Sequence, residues 1–123
     1  MKTIFYNSEG IPYAYTEDTI NIYTFEGTPV AYIDIDDIYA FSGAHLGFFE
    51  DGYFWDHNGD VLLFTDTTRF GCGPLKPKKS LKPVRALKTR KPLKGTKESK
   101  PLKPLKSRHW SMYSPEDLLK IYV

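Results

Sequence analysis

The sequence has one cysteine, Cys72, so an internal disulfide is excluded and the fold must rest on its core. Its three histidines, His45, His57 and His109, stand at no metal-ligand spacing and read as ordinary surface or turn residues. Asp56-His57-Asn58-Gly59-Asp60 lacks the closing Glu of a calcium loop and reads as a plain turn. Cys72 has no flanking His or Asp to activate it. Acid pairs such as Asp36-Asp37 read as solvated turn residues. There is no nucleotide loop and no paired acid and base, so the expectation is no catalytic residue, no metal, no cofactor and no enzyme. No apolar run approaches the roughly 20 residues of a membrane helix. Residues 1–7 lack the apolar run of a signal peptide, so a cytoplasmic location is expected.

What is present is aromatic and sharply divided in charge. The 123 residues include nine Tyr, eight Phe and two Trp. The net charge of +2 hides −10 over residues 1–74 and +12 over residues 75–107. Gly10, Gly27, Gly43 and Gly59 mark a repeat of 16 or 17 residues. Five before each glycine stand Phe5, Ile22, Ile38 and Phe54, and four before stand Tyr6, Tyr23, Tyr39 and Trp55. Three after come Tyr13, Val30, Leu46 and Leu62, and five after come Tyr15, Tyr32, Phe48 and Phe64. Each unit reads as strand, tight turn, strand, with Gly supplying the positive φ of the turn. Acidic clusters such as Thr16-Glu17-Asp18-Thr19 and Asp34-Ile35-Asp36-Asp37 separate the units as reverse turns of a meander. One such hairpin cannot bury its apolar face, but four closing on a common axis can. Ala14, Ala31 and Gly47, four after their glycines, are small enough to crowd that axis, and Leu63 breaks the column.

The Tyr-x-x-x-Gly-x-x-x-Ala-Tyr pattern, the Gly47-Phe48-Phe49-Glu50-Asp51-Gly52 and Asp56-His57-Asn58-Gly59 segments, and the Lys/Pro tract ending near Trp110-Ser111 resemble the bacterial four-fold β-flower family. The resemblance covers nearly the whole chain and implies a fold but no activity. The expected fold is all-β: four hairpins, eight short antiparallel strands, about a pseudo-four-fold axis. The expected organisation is a β domain over 1–70 (units about 4–18, 20–35, 36–51 and 52–66), a triplet tract over 71–107, and a C-terminal anchor over 108–123.

From Leu75 to Ser107 the chain divides into eleven triplets with a basic middle residue: Lys76, Lys79, Lys82, Arg85, Lys88, Lys91, Lys94, Lys97, Lys100, Lys103 and Lys106. Leucine or valine often leads the triplet and proline often closes it. A period of three matches neither strand nor α-helix, whereas polyproline II has three residues per turn. In that form the basic groups line one edge, roughly 9 Å apart, over about 100 Å. Three readings stay open for this tail. It is a solvated arm, or it lies on its own acidic domain with leucines docked in grooves between hairpins, or it binds an anionic polymer in trans. Ser114-Pro115-Glu116-Asp117 carries helix-start signals, and Trp110 with Leu118, Leu119 and Tyr122 is expected to anchor a short C-terminal helix. The aromatic column Tyr6, Tyr23, Tyr39 and Trp55 is the candidate binding face, for a peptide or other ligand. The leading expectation is a non-enzymatic binding or scaffold module whose basic tract packs on its own acidic β domain, with the partner open between a protein, a peptide and an anionic polymer; the alternative is polyanion binding, to nucleic acid or an anionic surface, through residues 75–107.

Overall fold

The computed structural model describes residues 3–68 and 71–121. Eight strands run in chain order: β1 (Thr3–Tyr6), β2 (Pro12–Thr16), β3 (Asn21–Thr24), β4 (Pro29–Asp34), β5 (Asp37–Tyr39), β6 (His45–Glu50), β7 (Tyr53–Trp55) and β8 (Val61–Phe64). Each pairs antiparallel with the next, and the sheet closes into a barrel. The closing seam between β1 and β8 is a single residue pair, Tyr6 with Phe64.

Strand alternation sorts the repeat columns onto two faces. The inner face pairs Phe5 with Ala14, Ile22 with Ala31, Ile38 with Gly47 and Phe54 with Leu63 across the four hairpins. A large residue opposite a small one lets eight strands close tightly, and only the last hairpin sets two large residues together. A bulge follows each of these pairs, between Phe5 and Tyr6, Ile22 and Tyr23, Ile38 and Tyr39, and Phe54 and Trp55. The added twist bends the strands enough for closure. A side chain on Gly47 would overlap the Trp55 carbonyl, so the third hairpin needs glycine here.

The four hairpin turns share one design. The N–H groups of Gly10, Gly27, Gly43 and Gly59 donate to the carbonyls of Asn7, Thr24, Ala40 and Asp56 at 3.0, 3.0, 3.0 and 3.2 Å. Asp56 Oδ1 also accepts from the N–H groups of Asn58 and Asp60, each at 2.9 Å, so this carboxylate shapes its own turn.

Helix α1 (Pro115–Ile121) starts as expected, with Ser114 Oγ accepting from the Asp117 N–H at 3.1 Å. Leu119 is fully buried and joins the barrel interior beside Val30, Leu46 and Leu62, at the end where the hairpin turns lie. Trp110 packs instead on the outer cluster with Phe64, and Tyr122 lies outside the described residues. No helix among the described residues is long and apolar enough to cross a membrane.

Candidate functional site

The tract after residue 74 forms neither strand nor helix up to the Val61–Trp110 bridge, and it follows the barrel wall from hairpin to hairpin. The N–H groups of Ser80, Thr89, Glu98 and Ser107 donate to the carbonyls of Gly10, Gly27, Gly43 and Gly59, each at 2.8 Å. These donors are spaced by nine residues, three triplets per hairpin. Four nonapeptides therefore match four hairpins: LKPKKSLKP, VRALKTRKP, LKGTKESKP and LKPLKSRHW, beginning at Leu75, Val84, Leu93 and Leu102. Ala86 and Gly95 add bonds to the Phe25 and Phe41 carbonyls at 2.8 and 2.7 Å. The equivalent residues of the outer two nonapeptides are Pro77 and Pro104, which have no N–H to donate.

The turn glycines permit this approach. All four have φ between +79° and +102°, and a Cβ on Gly10, Gly27, Gly43 or Gly59 would overlap the carbonyl oxygen of Lys78, Leu87, Thr96 or Leu105. Glycine is required here twice over, by the left-handed backbone and by the passing chain.

The basic edge turns toward the barrel. Lys79 pairs with Asp66, Arg85 and Lys88 with Glu17, and Lys97 with Asp34. Lys100 reaches Asp37 at 3.0 Å, Lys103 reaches Glu50 at 3.1 Å and Lys106 reaches Asp51 at 3.0 Å. Lys76 donates to Thr68 Oγ1. Sharing the Lys88 and Arg85 cations holds the Glu17 carboxyl below its usual range, and the hydrogen bond to Asp34 raises Lys97. Of this edge, Lys76, Lys82, Lys91 and Lys94 make no ion pair among the described residues.

The same cations cover aromatic rings. The candidate binding residues Tyr6, Tyr23, Tyr39 and Trp55 lie on the outer wall, and Lys79, Lys88, Lys97 and Lys106 stand over them at 5.6, 4.9, 5.3 and 5.5 Å from the ring centroids. Lys94 stands over Tyr32 at 4.2 Å. All four candidate rings are buried beneath this layer. Each faces a ring of the neighbouring hairpin in the strand register: Tyr6 with Phe64, Tyr23 with Tyr15, Tyr39 with Tyr32 and Trp55 with Phe48. Four aromatic grooves result, one between each pair of adjacent hairpins.

Leucine docking in these grooves is corrected by the structure. Leu75, Leu81, Val84, Leu87, Leu93, Leu102 and Leu105 are each 93–96% exposed. Lysine stems fill the space over the rings, and their ammonium heads reach acids at the barrel rim. A three-residue period gives the tract three edges, and those bearing the basic residues and the Ser/Thr donors face the barrel. The leucine edge is left outward.

Two further expectations are corrected at the third hairpin. Asp37 is 4% exposed rather than solvated, because β5 carries it inward of the turn. His45 is 5% exposed rather than a surface residue. His45 Nε2 lies 2.9 Å from Asp37 Oδ1, and His45 Nδ1 lies 2.8 Å from His57 Nε2. Asp37 can only accept, so Nε2 of His45 carries the proton. Glu98 Oε1 accepts from the His45 backbone N–H at 2.6 Å. Burial pushes the Asp37 carboxyl up, but hydrogen bonds from His45 and Lys100 outweigh it and the net shift is downward. Burial, aided by His45, lowers His57. This chain of polar residues was legible as departures from the repeat. His45 stands in a column with Pro12, Pro29 and Val61, His57 in one with Ser8, Phe25 and Phe41, and Glu98 in one with Ser80, Thr89 and Ser107.

Comparison with curated proteins and with solved structures finds no match. The sequence profile of a family described as 4-fold beta flower protein matches residues 3–119, which spans the barrel, the strap formed by the tract, and most of α1. With eight strands in four like hairpins about one axis, the chain belongs to the 4-fold beta flower protein family.

Proposed function

We propose that the protein is a non-enzymatic binding or scaffold module, in which the barrel holds the strap and the strap presents its outer edge to a protein or peptide partner. One observation carries this reading: seven leucine and valine side chains stand almost wholly exposed on a segment whose other edges are fastened to the barrel. Exposed apolar arrays of this extent mark interaction surfaces. The test is a thermal-shift screen of peptides, glycans and nucleic acids against the intact protein and a Leu81→Ser/Val84→Ser/Leu87→Ser variant. The variant keeps its melting temperature, because surface changes stay within about 0.5 kcal/mol each, and loses the ligands that the intact protein binds. A screen without binders, or binders indifferent to the triple change, would sink the reading.

The second reading is polyanion binding through residues 75–107, favoured by Lys76, Lys78, Lys82, Arg90, Lys91 and Lys94, which have no acidic partner among the described residues. It predicts affinity for single- or double-stranded nucleic acid that falls steeply with salt. Lys79, Arg85, Lys88, Lys97, Lys100, Lys103 and Lys106 are already paired with barrel acids, so seven of the thirteen cations of this segment are partly neutralised.

A further inference from the structure

The strap's outward edge changes along its length. Over residues 75–93 the first position of each triplet reads Leu-Lys-Leu-Val-Leu-Arg-Leu, whereas over residues 96–105 it reads Thr-Ser-Leu-Leu. The first stretch therefore sets Lys78 and Arg90 among its leucines, and both are exposed. Its apolar members are 93–96% exposed.

Charge divides at the same place. Beyond residue 95 of the tract, Lys97, Lys100, Lys103 and Lys106 all pair with barrel acids. Before it, Lys76, Lys78, Lys82, Arg90, Lys91 and Lys94 have no acidic partner among the described residues. Three carboxylates at this part of the barrel also lack a cation among the described residues. Glu9 adjoins the Gly10 carbonyl that accepts from Ser80, and Glu26 and Glu116 line a recess with Pro83 and Val84. Six unpaired cations against three such carboxylates leave the arc positive.

The middle of the arc is fastened at both ends. The N–H groups of Ser80 and Thr89 donate to the Gly10 and Gly27 carbonyls at 2.8 Å. Between these anchors Leu81, Val84 and Leu87 stand outward, and Lys78 and Arg90 lie just beyond the anchors on either side. An apolar centre with a cation on each flank is thus held by the barrel rather than left to a loose arm.

We propose that this arc docks on an anionic lipid bilayer, with Leu81, Val84 and Leu87 entering the acyl boundary and Lys78 and Arg90 meeting the phosphate headgroups. A nucleic acid would use the cations and leave the leucines in water. A bilayer surface meets both, because its apolar phase begins directly beneath its anionic headgroups. Lysine and arginine suit the flanks, since their long stems lie along apolar surface while their heads stay at the headgroup level. The inference rests on the strap's outer edge being an interaction surface, and it gives the first half of that edge a lipid partner. Leu102 and Leu105 lie outside the arc.

The test is cosedimentation of the full chain with vesicles of phosphatidylcholine alone and of phosphatidylcholine mixed with phosphatidylglycerol. The expected result is partition onto the mixed vesicles at least tenfold stronger than onto the neutral ones. Leu81→Ser/Val84→Ser/Leu87→Ser and Lys78→Gln/Arg90→Gln each weaken it at least tenfold, while Leu102→Ser/Leu105→Ser leaves it as it was. All substituted side chains are exposed, so each variant keeps its melting temperature, which is measured on the same samples. No partition onto the mixed vesicles, equal partition onto both kinds, or equal losses from the two leucine sets overturns the proposal. Loss in the Lys78/Arg90 variant without loss in the triple serine variant also overturns it, and assigns the arc to polyanions in general. Peptide binders that the triple serine variant loses, with no vesicle binding, end this inference and keep the protein-partner reading. Vesicle binding without peptide binders does the reverse.

Discussion

His45 Nδ1 and His57 Nε2 are 2.8 Å apart, in a hydrogen bond that survives only while one of the two nitrogens has a free lone pair. Burial first, and His45 second, hold His57 below its ordinary value, against the opposing pull of Asp56 and Glu98. The unfolded chain takes up this proton near pH 6.5. Below that pH the unfolded state binds more protons than the folded one, so stability is full above about pH 6.5 and falls as the pH drops toward the folded value. The melting temperature should therefore be lower at pH 5 than at pH 7.5, and the drop should shrink in His57→Phe. An equal drop in both proteins would remove His57 as its source.

Gly27 holds φ +92° where the strap's Leu87 carbonyl passes over it. Gly27→Ala should cost about 1–2 kcal/mol for the left-handed backbone alone. Displacement of the strap adds to that. Urea denaturation measures the loss, and limited trypsin digestion should show faster cutting near Lys88. A loss under about 0.5 kcal/mol would mean that the strap does not press on this turn.

Ile35 stands at the tip of the β4–β5 turn with φ +60° and is 83% exposed. A β-branched residue in the left-handed region is strained, and here no burial offsets it. Ile35→Asn should stabilise the protein by about 1 kcal/mol, because asparagine tolerates this conformation. A denaturation midpoint that stays or falls would show that Ile35 makes a compensating contact.

Glu17 receives both Arg85 and Lys88. Glu17→Gln frees the two cations together at one crossing of strap and barrel. Tryptic cleavage after Arg85 and Lys88 should quicken severalfold, while cleavage after Lys97, held by Asp34, stays as it was. Uniform acceleration along the tract would instead mean that the strap is held as one cooperative unit.

Most of the barrel was legible because its cause is local and repeated. Alternation assigns Phe5 and Ala14 to one face and Tyr6 and Tyr15 to the other, and the turn glycines fix the register. The strap was legible in its period of three but not in its orientation. Hydrophobicity points leucine inward, yet lysine has a long apolar stem, a cation for the Tyr and Trp faces and a head that reaches the rim acids, so lysine takes the inner place. The nine-residue period was readable too, in the column Ser80, Thr89, Glu98 and Ser107, but its meaning depends on the turn carbonyls it meets. His45 and His57 were visible as departures from their repeat columns, but their pairing with each other and with Asp37 was not, because the three are apart in sequence and meet only across the closed sheet.

Leu119 lies fully buried in the barrel interior although every strand has been made by Phe64. During synthesis on a ribosome the cylinder can therefore assemble with one end of its interior still lacking a side chain. That place is filled only after the strap has travelled past all four hairpins and the helix has arrived. The chain thus emerges with its sheet first and its plug last. Its final stability is reached only once residue 119 has cleared the exit tunnel.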